Sequence, residues 1–261
     1  MTALIFDGSF DGFLSVVHAC YYEKLNPISI QPAETLTLID NARYIETSHD
    51  NAAQVFAAIK KKISQEAANA VYAASLSPEA DRYTALLEYI RLGFKVGHMV
   101  DSHLQVEYVR RVRDLSRQVW REAHLLFGFS RFVETNSGVF YCKITPRNNV
   151  LPLVADHFTR RFMNQQWIIH DKAYNQAAVY DGKSYVIAQN PGDADVIYAP
   201  HEEETQDLWV AFWDALSIES RKNWKLQRQL MPIYFRKNMT EFTRRRKGKG
   251  LTATDGNFIE G

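Results

Sequence analysis

A chain of 261 residues, 46% hydrophobic and 13% aromatic, is long enough for one large or two small domains and has the apolar content to bury a real core, so a disordered or fibrous protein is excluded. No window reaches the apolar length of a membrane span, and the start lacks a basic flank followed by a hydrophobic run. A cytoplasmic protein with no membrane association is therefore expected. The formal charge of +1 is segregated: positions 221–249 hold eleven Lys and Arg against Glu241 alone, a local +10 on a body of −9. That suits a phosphate backbone, an acidic partner protein or the chain's own body.

Leu4 to Phe6 reads as a short strand and Asp7-Gly8-Ser9 as a turn, with Ser9 capping a helix whose apolar positions are Phe10, Phe13, Leu14, Val17 and Tyr21. Ile28 to Ile30 and Arg43 to Glu46 are two further strand candidates. Helical patterns follow at 51–63 and 65–76, then a third helix starting at Ser77-Pro78 and breaking near Gly93 or Gly97. Asp7 and Asp11 fit a turn and a first-turn acid better than metal ligands. His98 and His103, five apart, do not share a helical face as a zinc pair would, so no metal is expected.

From about His103 to Phe127 the helical pattern has two faces. Val109, Val112, Ser116, Val119, Ala123 and Leu126 form a core seam, and Arg110, Arg113, Arg117 and Arg121 line a second stripe. Four guanidiniums in a line can grip successive phosphates. They can equally pair with Asp114, Glu107, Glu122 or Glu202-Glu203-Glu204.

Phe129 to Glu134 and Val139 to Ile144 flank Asn136-Ser137-Gly138 as a first hairpin; a helix from Val150 carries Leu151, Val154, Phe158 and Phe162; Trp167 to Ile169 is a buried strand; and Ala177 to Tyr180 and Ser184 to Ala188 flank Asp181-Gly182 as a second hairpin. The expected fold class is α+β: an antiparallel sheet of two hairpins with a covering helix, embedded in a mainly helical chain. Helices are expected over Glu202 to Leu216 and Ile218 to Leu230, ended by Pro232. Beyond it Arg236, Lys237, Arg244, Arg245, Arg246 and Lys247 interleave with Tyr234, Phe235 and Phe242, a composition that stacks bases while tracking phosphates. The domains expected are 1–127, mainly helical; 128–190, α+β; 191–243, helical; and 244–261, a basic then flexible tail.

Several motifs together carry a resemblance: Phe6-Asp7-Gly8-Ser9-Phe10-Asp11-Gly12-Phe13, Glu122, Gly128-Phe129-Ser130-Arg131-Phe132, Pro146, Asp156-His157-Phe158 to Arg161, Trp167-Ile168-Ile169-His170-Asp171, and Met231-Pro232 to Glu241. In these the chain resembles a bacterial family of DNA repair or DNA metabolism proteins, a domain of unknown function. That family is found with a radical S-adenosylmethionine protein, and related domains are fused to uracil-DNA-glycosylase-like modules. The resemblance implies a setting in DNA metabolism with DNA and the radical protein as partners. It attaches no reaction to the motifs.

No nucleotide-binding glycine loop, nucleophile elbow or zinc-protease motif is present. Cys20 and Cys142 are too few and too far apart for a disulfide framework, a metal site or an iron–sulfur cluster, and are expected as buried thiols. No cofactor is expected; a radical partner would supply its own. The remaining chemistry lies in His157, Asp156 and His170 as acid–base groups, with Arg131, Arg160 and Arg161 as phosphate contacts. The same cluster can instead hold a helix against a sheet. Three readings compete: a nucleic-acid-binding accessory protein, an enzyme of glycosylase or hydrolase type acting on damaged or modified DNA, and a structural protein–protein scaffold.

Overall fold

The computed structural model describes residues 2–35, 42–192, 196–221 and 223–248, without the side chains of 219 and 245–248. It divides into two units, Met1–Arg121 and Glu122–Gly261.

In unit one, β1 (Ala3–Phe6) is the centre of a three-stranded parallel sheet, flanked by β2 (Ser29–Pro32) and β3 (Ala42–Tyr44). All four β1 residues are buried, as an apolar run in a parallel sheet should be. The helices are α1 (Phe10–Tyr22), α2 (His49–Lys62), α3 (Gln65–Ser75) and α4 (Arg82–Val96). Ser9, Ser48 and Ser64 each cap one of the first three, accepting a hydrogen bond from the backbone N–H three residues on. Phe6, Phe13 and Tyr83 pack ring to ring within the core, with centroids 4.9 to 6.5 Å apart. Gly12 is required by close approach, because a Cβ there would lie 2.1 Å from Asp7 Oδ1 and 2.9 Å from the Phe6 ring. Helix α4 runs through Gly93, whose bare Cα admits Ile63, and ends at Gly97 with φ +64°.

Helix α5 (Glu107–Phe129) begins in unit one and ends in unit two. All six residues of its predicted seam are buried, and all four arginines of its predicted stripe are exposed.

Unit two is built on a five-stranded sheet in the order β4 (Phe132–Glu134), β5 (Phe140–Ile144), β6 (Trp167–Asp171), β7 (Gln176–Tyr180), β8 (Tyr185–Gln189). The two hairpins form, with Gly138 and Gly182 at φ +77° and +96° in their turns. The α+β class holds, but the sheet is mixed rather than purely antiparallel: β5 and β6 run parallel. Helix α6 (Leu151–Arg161) joins them, and a strand–helix–strand crossover returns the chain in the same direction. A second, parallel sheet, in unit one, also departs from the expected architecture.

Helix α6 packs on the face carrying Phe132 and Trp167; Phe132 meets Phe158 and Phe162 with ring centroids 4.8 and 5.1 Å apart. Two buried carboxylates brace the ends. Glu122 accepts from the backbone N–H of Arg147 and Asn148, from Asn148 Nδ2 and from Tyr234 Oη. Asp171 accepts from the N–H of Ala173 and Tyr174 and from Gln176 Nε2. The chain then forms α7 (Glu202–Leu216), α8 (Trp224–Leu230), α9 (Ile233–Arg236) and α10 (Thr240–Gly248). The helix expected over 218–230 is interrupted: a 3-10 turn spans Glu219–Arg221, and Asn223 caps α8 afresh.

Both cysteines are free and buried, which pushes the Cys20 thiol up to about 11 and the Cys142 thiol up to about 12. Among the described residues no helix is long and apolar enough to cross a membrane, and no group of three or more His, Cys, Asp or Glu could hold a metal ion.

Candidate nucleic-acid interface

Side chains alternate along a strand, so the residues between those facing α6 point to the opposite side of the unit-two sheet. That face carries Val133 on β4, Tyr141 and Lys143 on β5, and His170 on β6; the pairing sets Tyr141 opposite Val133 and Lys143 opposite His170. Arg131 lies just ahead of β4, and Lys172 just after β6. Lys237, Thr240, Thr243 and Arg244 from α9–α10 and Tyr198 complete an open cleft of about 710 Å³. Five of its lining residues are cationic, Arg131, Lys143, Lys172, Lys237 and Arg244, and no carboxylate is among those described.

The two guanidiniums are held from behind. Arg131 Nη2 and Nε donate to Glu241 at 2.7 and 3.1 Å, and the Glu241 side chain is 0% exposed. Trp209 Nε1 donates to the same carboxylate at 3.2 Å, and the Arg131 guanidinium sits 5.1 Å from the Trp209 ring centre. Arg244 makes a two-point contact with Asp207 at 2.6 and 2.8 Å. Those carboxylates fix the forks in place while offsetting part of their charge. Lys143 and Lys237 are exposed.

Beneath the cleft, His170 is 5% exposed, its Nδ1 2.9 Å from Tyr141 Oη. Its Nε2 is buried without a hydrogen-bond partner. Burial first, then Lys172 and Lys143, hold its pKa below the ordinary imidazole value, so the ring is neutral at pH 7.

The other sequence-predicted residues are dispersed. His157 and Asp156 are on α6, across the sheet from His170. The His157 ring stacks on Phe127 with centroids 4.1 Å apart, and burial together with Arg161 and Arg160 lowers its pKa. Asp156 accepts from Tyr185 Oη at 2.7 Å. The three expected acid–base groups therefore do not converge. Arg160 and Arg161 are exposed in the last turn of α6, outside the cleft. Arg236, expected at a phosphate, is instead 4% exposed: its Nη2 donates to Met231 O and its guanidinium lies 5.0 Å from the Phe242 ring centre.

On α5, Arg113 is 3.5 Å from Asp101 and Arg117 is 2.9 Å from Asp114, while Arg110 and Arg121 have no ion pair among the described residues. The backbone of α10 carries Arg245, Arg246 and Lys247, but their side chains lie outside the described residues.

A family model described as a domain of unknown function, DUF4130, matches residues 80–241. The chain belongs to that family. The DUF4130 match contains Arg131, Tyr141, Lys143, His170, Lys172, Lys237 and Glu241 and stops just short of Thr243 and Arg244. Glu122 and Asp171, two of the motif residues, are satisfied by backbone donors within the fold, so they have an architectural use whatever the ligand. No curated protein and no solved structure matches the chain.

Sequence reasoning missed Tyr141, Tyr198, Lys143 and Lys172. A usable signal was the two-residue step from Tyr141 to Lys143 and from His170 to Lys172, which places each pair on one face once the strands are recognised.

Proposed function

We propose that this chain binds DNA along the open face of the unit-two sheet. The cations would grip successive phosphates while Tyr141 and Tyr198 offer ring faces to bases, a division of labour suited to a single strand. In this reading the protein serves DNA repair or DNA metabolism as an accessory partner of a radical S-adenosylmethionine protein. That setting rests on the resemblance of the motifs, and the choice of DNA over RNA rests there too.

The observation that carries the binding role is the cleft itself, with five cations and no described carboxylate among its lining residues. A polyanion displaces its counterions on such a surface, and affinity then falls linearly with the logarithm of salt concentration. Since Arg131 and Arg244 are partly neutralised, at most five phosphates are effectively engaged, giving a slope no steeper than about −3.5 for a single strand.

Fluorescence anisotropy with a labelled single-stranded oligonucleotide over a salt series tests this directly. Lys143→Gln combined with Lys237→Gln should weaken binding and flatten the slope by roughly 1.5. Binding indifferent to salt, or to that double substitution, would remove the proposal.

One observation favours a second reading, an enzyme acting on damaged or modified DNA. Tyr141 places a hydroxyl in the cleft against a neutral imidazole, a pair able to pass a proton. It predicts turnover of a lesion-bearing oligonucleotide that Tyr141→Phe abolishes; no turnover by the intact chain on any lesion tried would leave the binding role alone.

A further inference from the structure

The two guanidiniums of the cleft are held by carboxylates of opposite kinds. Glu241, which holds Arg131, has a fully buried side chain and also accepts from Trp209 Nε1. Releasing Arg131 would strand that buried charge, so the pair is permanent. The remaining nitrogen of Arg131, Nη1, donates to the carbonyls of Gly128 and Ser130. Arg244 is different. Its Nε and Nη2 meet the Asp207 carboxylate at 2.6 and 2.8 Å, and its Nη1 lies 3.9 Å from Glu203. The side chains of Asp207 and Glu203 are 68% and 82% exposed. Water rehydrates such carboxylates as soon as the guanidinium leaves them, so this contact is exchangeable.

Asp207 occupies the Nε–Nη2 edge of Arg244, a fork by which a guanidinium takes two oxygens of a phosphate. A strand in the cleft can therefore use that edge only by displacing the carboxylate. Helix α7 does not depend on the pair for its place. Glu202, buried at its start, accepts from the backbone N–H of Glu134; Trp209 reaches Glu241 on α10; and Trp213 meets Phe242 with ring centroids 6.2 Å apart. Glu203 and Asp207, four residues apart on one face, are thus carried to Arg244 by a helix anchored elsewhere. We propose that Asp207, assisted by Glu203, is a built-in competitor of the phosphate at Arg244, an autoinhibitory contact that lowers the affinity of the cleft and yields when a strand fills it. This brake presupposes that the cleft binds DNA.

Anisotropy titration of the full chain with a labelled single-stranded oligonucleotide at fixed salt tests it. Asp207→Asn, at an exposed position that does not threaten folding, should tighten binding about two- to fivefold with an unchanged circular dichroism spectrum. Adding Glu203→Gln should tighten it further. The gain from Asp207→Asn should fall to less than about half in an Arg244→Gln background, where a carboxylate still repels a strand through space but has no fork to occupy. Weaker binding by Asp207→Asn would make Asp207 a support for Arg244 and overturn the proposal, as would a gain that persists undiminished without Arg244. Binding by the native chain with no gain in Asp207→Asn removes the brake alone; no binding by either chain removes the role of the cleft and the brake together.

Discussion

Tyr141 Oη and His170 Nδ1 stand 2.9 Å apart, joining a tyrosine that lines the cationic cleft to a buried imidazole beneath it. The ring of Tyr141 and its hydroxyl can be separated experimentally. If the ring stacks on a base, Tyr141→Phe keeps DNA affinity within about threefold, whereas Tyr141→Ala loses about 1–3 kcal/mol, read by anisotropy titration. Equal losses in the two variants would assign the contact to the hydroxyl instead.

His170 also makes stability depend on pH. Its folded-state pKa lies below the ordinary 6.5, so the unfolded chain binds the proton more readily. The native state is therefore most favoured above 6.5 and loses stability as pH falls through that value toward the folded pKa. His157 is lowered in the same direction and adds to the effect. Relative to the native sequence, His170→Gln should gain in urea midpoint as the pH falls across this range, because only the native chain has this imidazole to protonate.

Asp171 works in the opposite sense. Burial raises its carboxyl from 3.8 to about 6 despite the hydrogen bonds it accepts. The folded state then binds its proton more tightly, and stability is lost as pH rises from 3.8 through about 6. The upper bound on that loss is about 3 kcal/mol. Asp171→Asn removes the titration, so its stability relative to the native sequence should climb over the same interval. A difference that stays flat with pH would contradict the raised carboxyl.

Glu241 is fully buried and serves both Arg131 and Trp209. Glu241→Ala strands a guanidinium and an indole N–H, at roughly 3 kcal/mol or more by chemical denaturation. Glu241→Gln should cost less, because an amide oxygen still accepts. Its measurable signature would be a mobile Arg131 and weaker DNA binding at unchanged fold.

Gly12 tests unit one. Gly12→Ala sets a methyl against the Asp7 carboxylate and the Phe6 ring, and should destabilise by about 1–3 kcal/mol through overpacking. The check is a thermal melt beside Gly128→Ala, where a Cβ meets nothing within 4 Å.

Local signals in the sequence carried the helices and hairpins. Ser9 capped α1 as its position suggested, the α5 seam was buried at every predicted step, and Gly138 and Gly182 turned the two hairpins. Pairing between distant strands was not local. The segments that become β1, β2 and β3 were each visible alone, yet nothing within any of them states that they join one parallel sheet. The direction of β6 follows from the helix between it and β5, since a connection that long returns a strand parallel where a tight turn would reverse it. The cleft was the least legible part. Lys143 and Lys172 are single lysines in or beside strands, with no meaning until the face is known, and Lys237 and Arg244 arrive there from nearly a hundred residues away. His157 and His170 looked like neighbours because a helix covering a sheet lies near its strands, but alternation sends His170 to the far side.

The contact between Arg131 and Glu241 spans 110 positions of the chain. A truncation ending before Thr240 would keep all five strands and still lose one wall of the groove, together with the anchor that aims Arg131. Such a fragment could fold, pass every purity criterion and fail to bind, so negative results from shortened versions would say nothing about the intact protein.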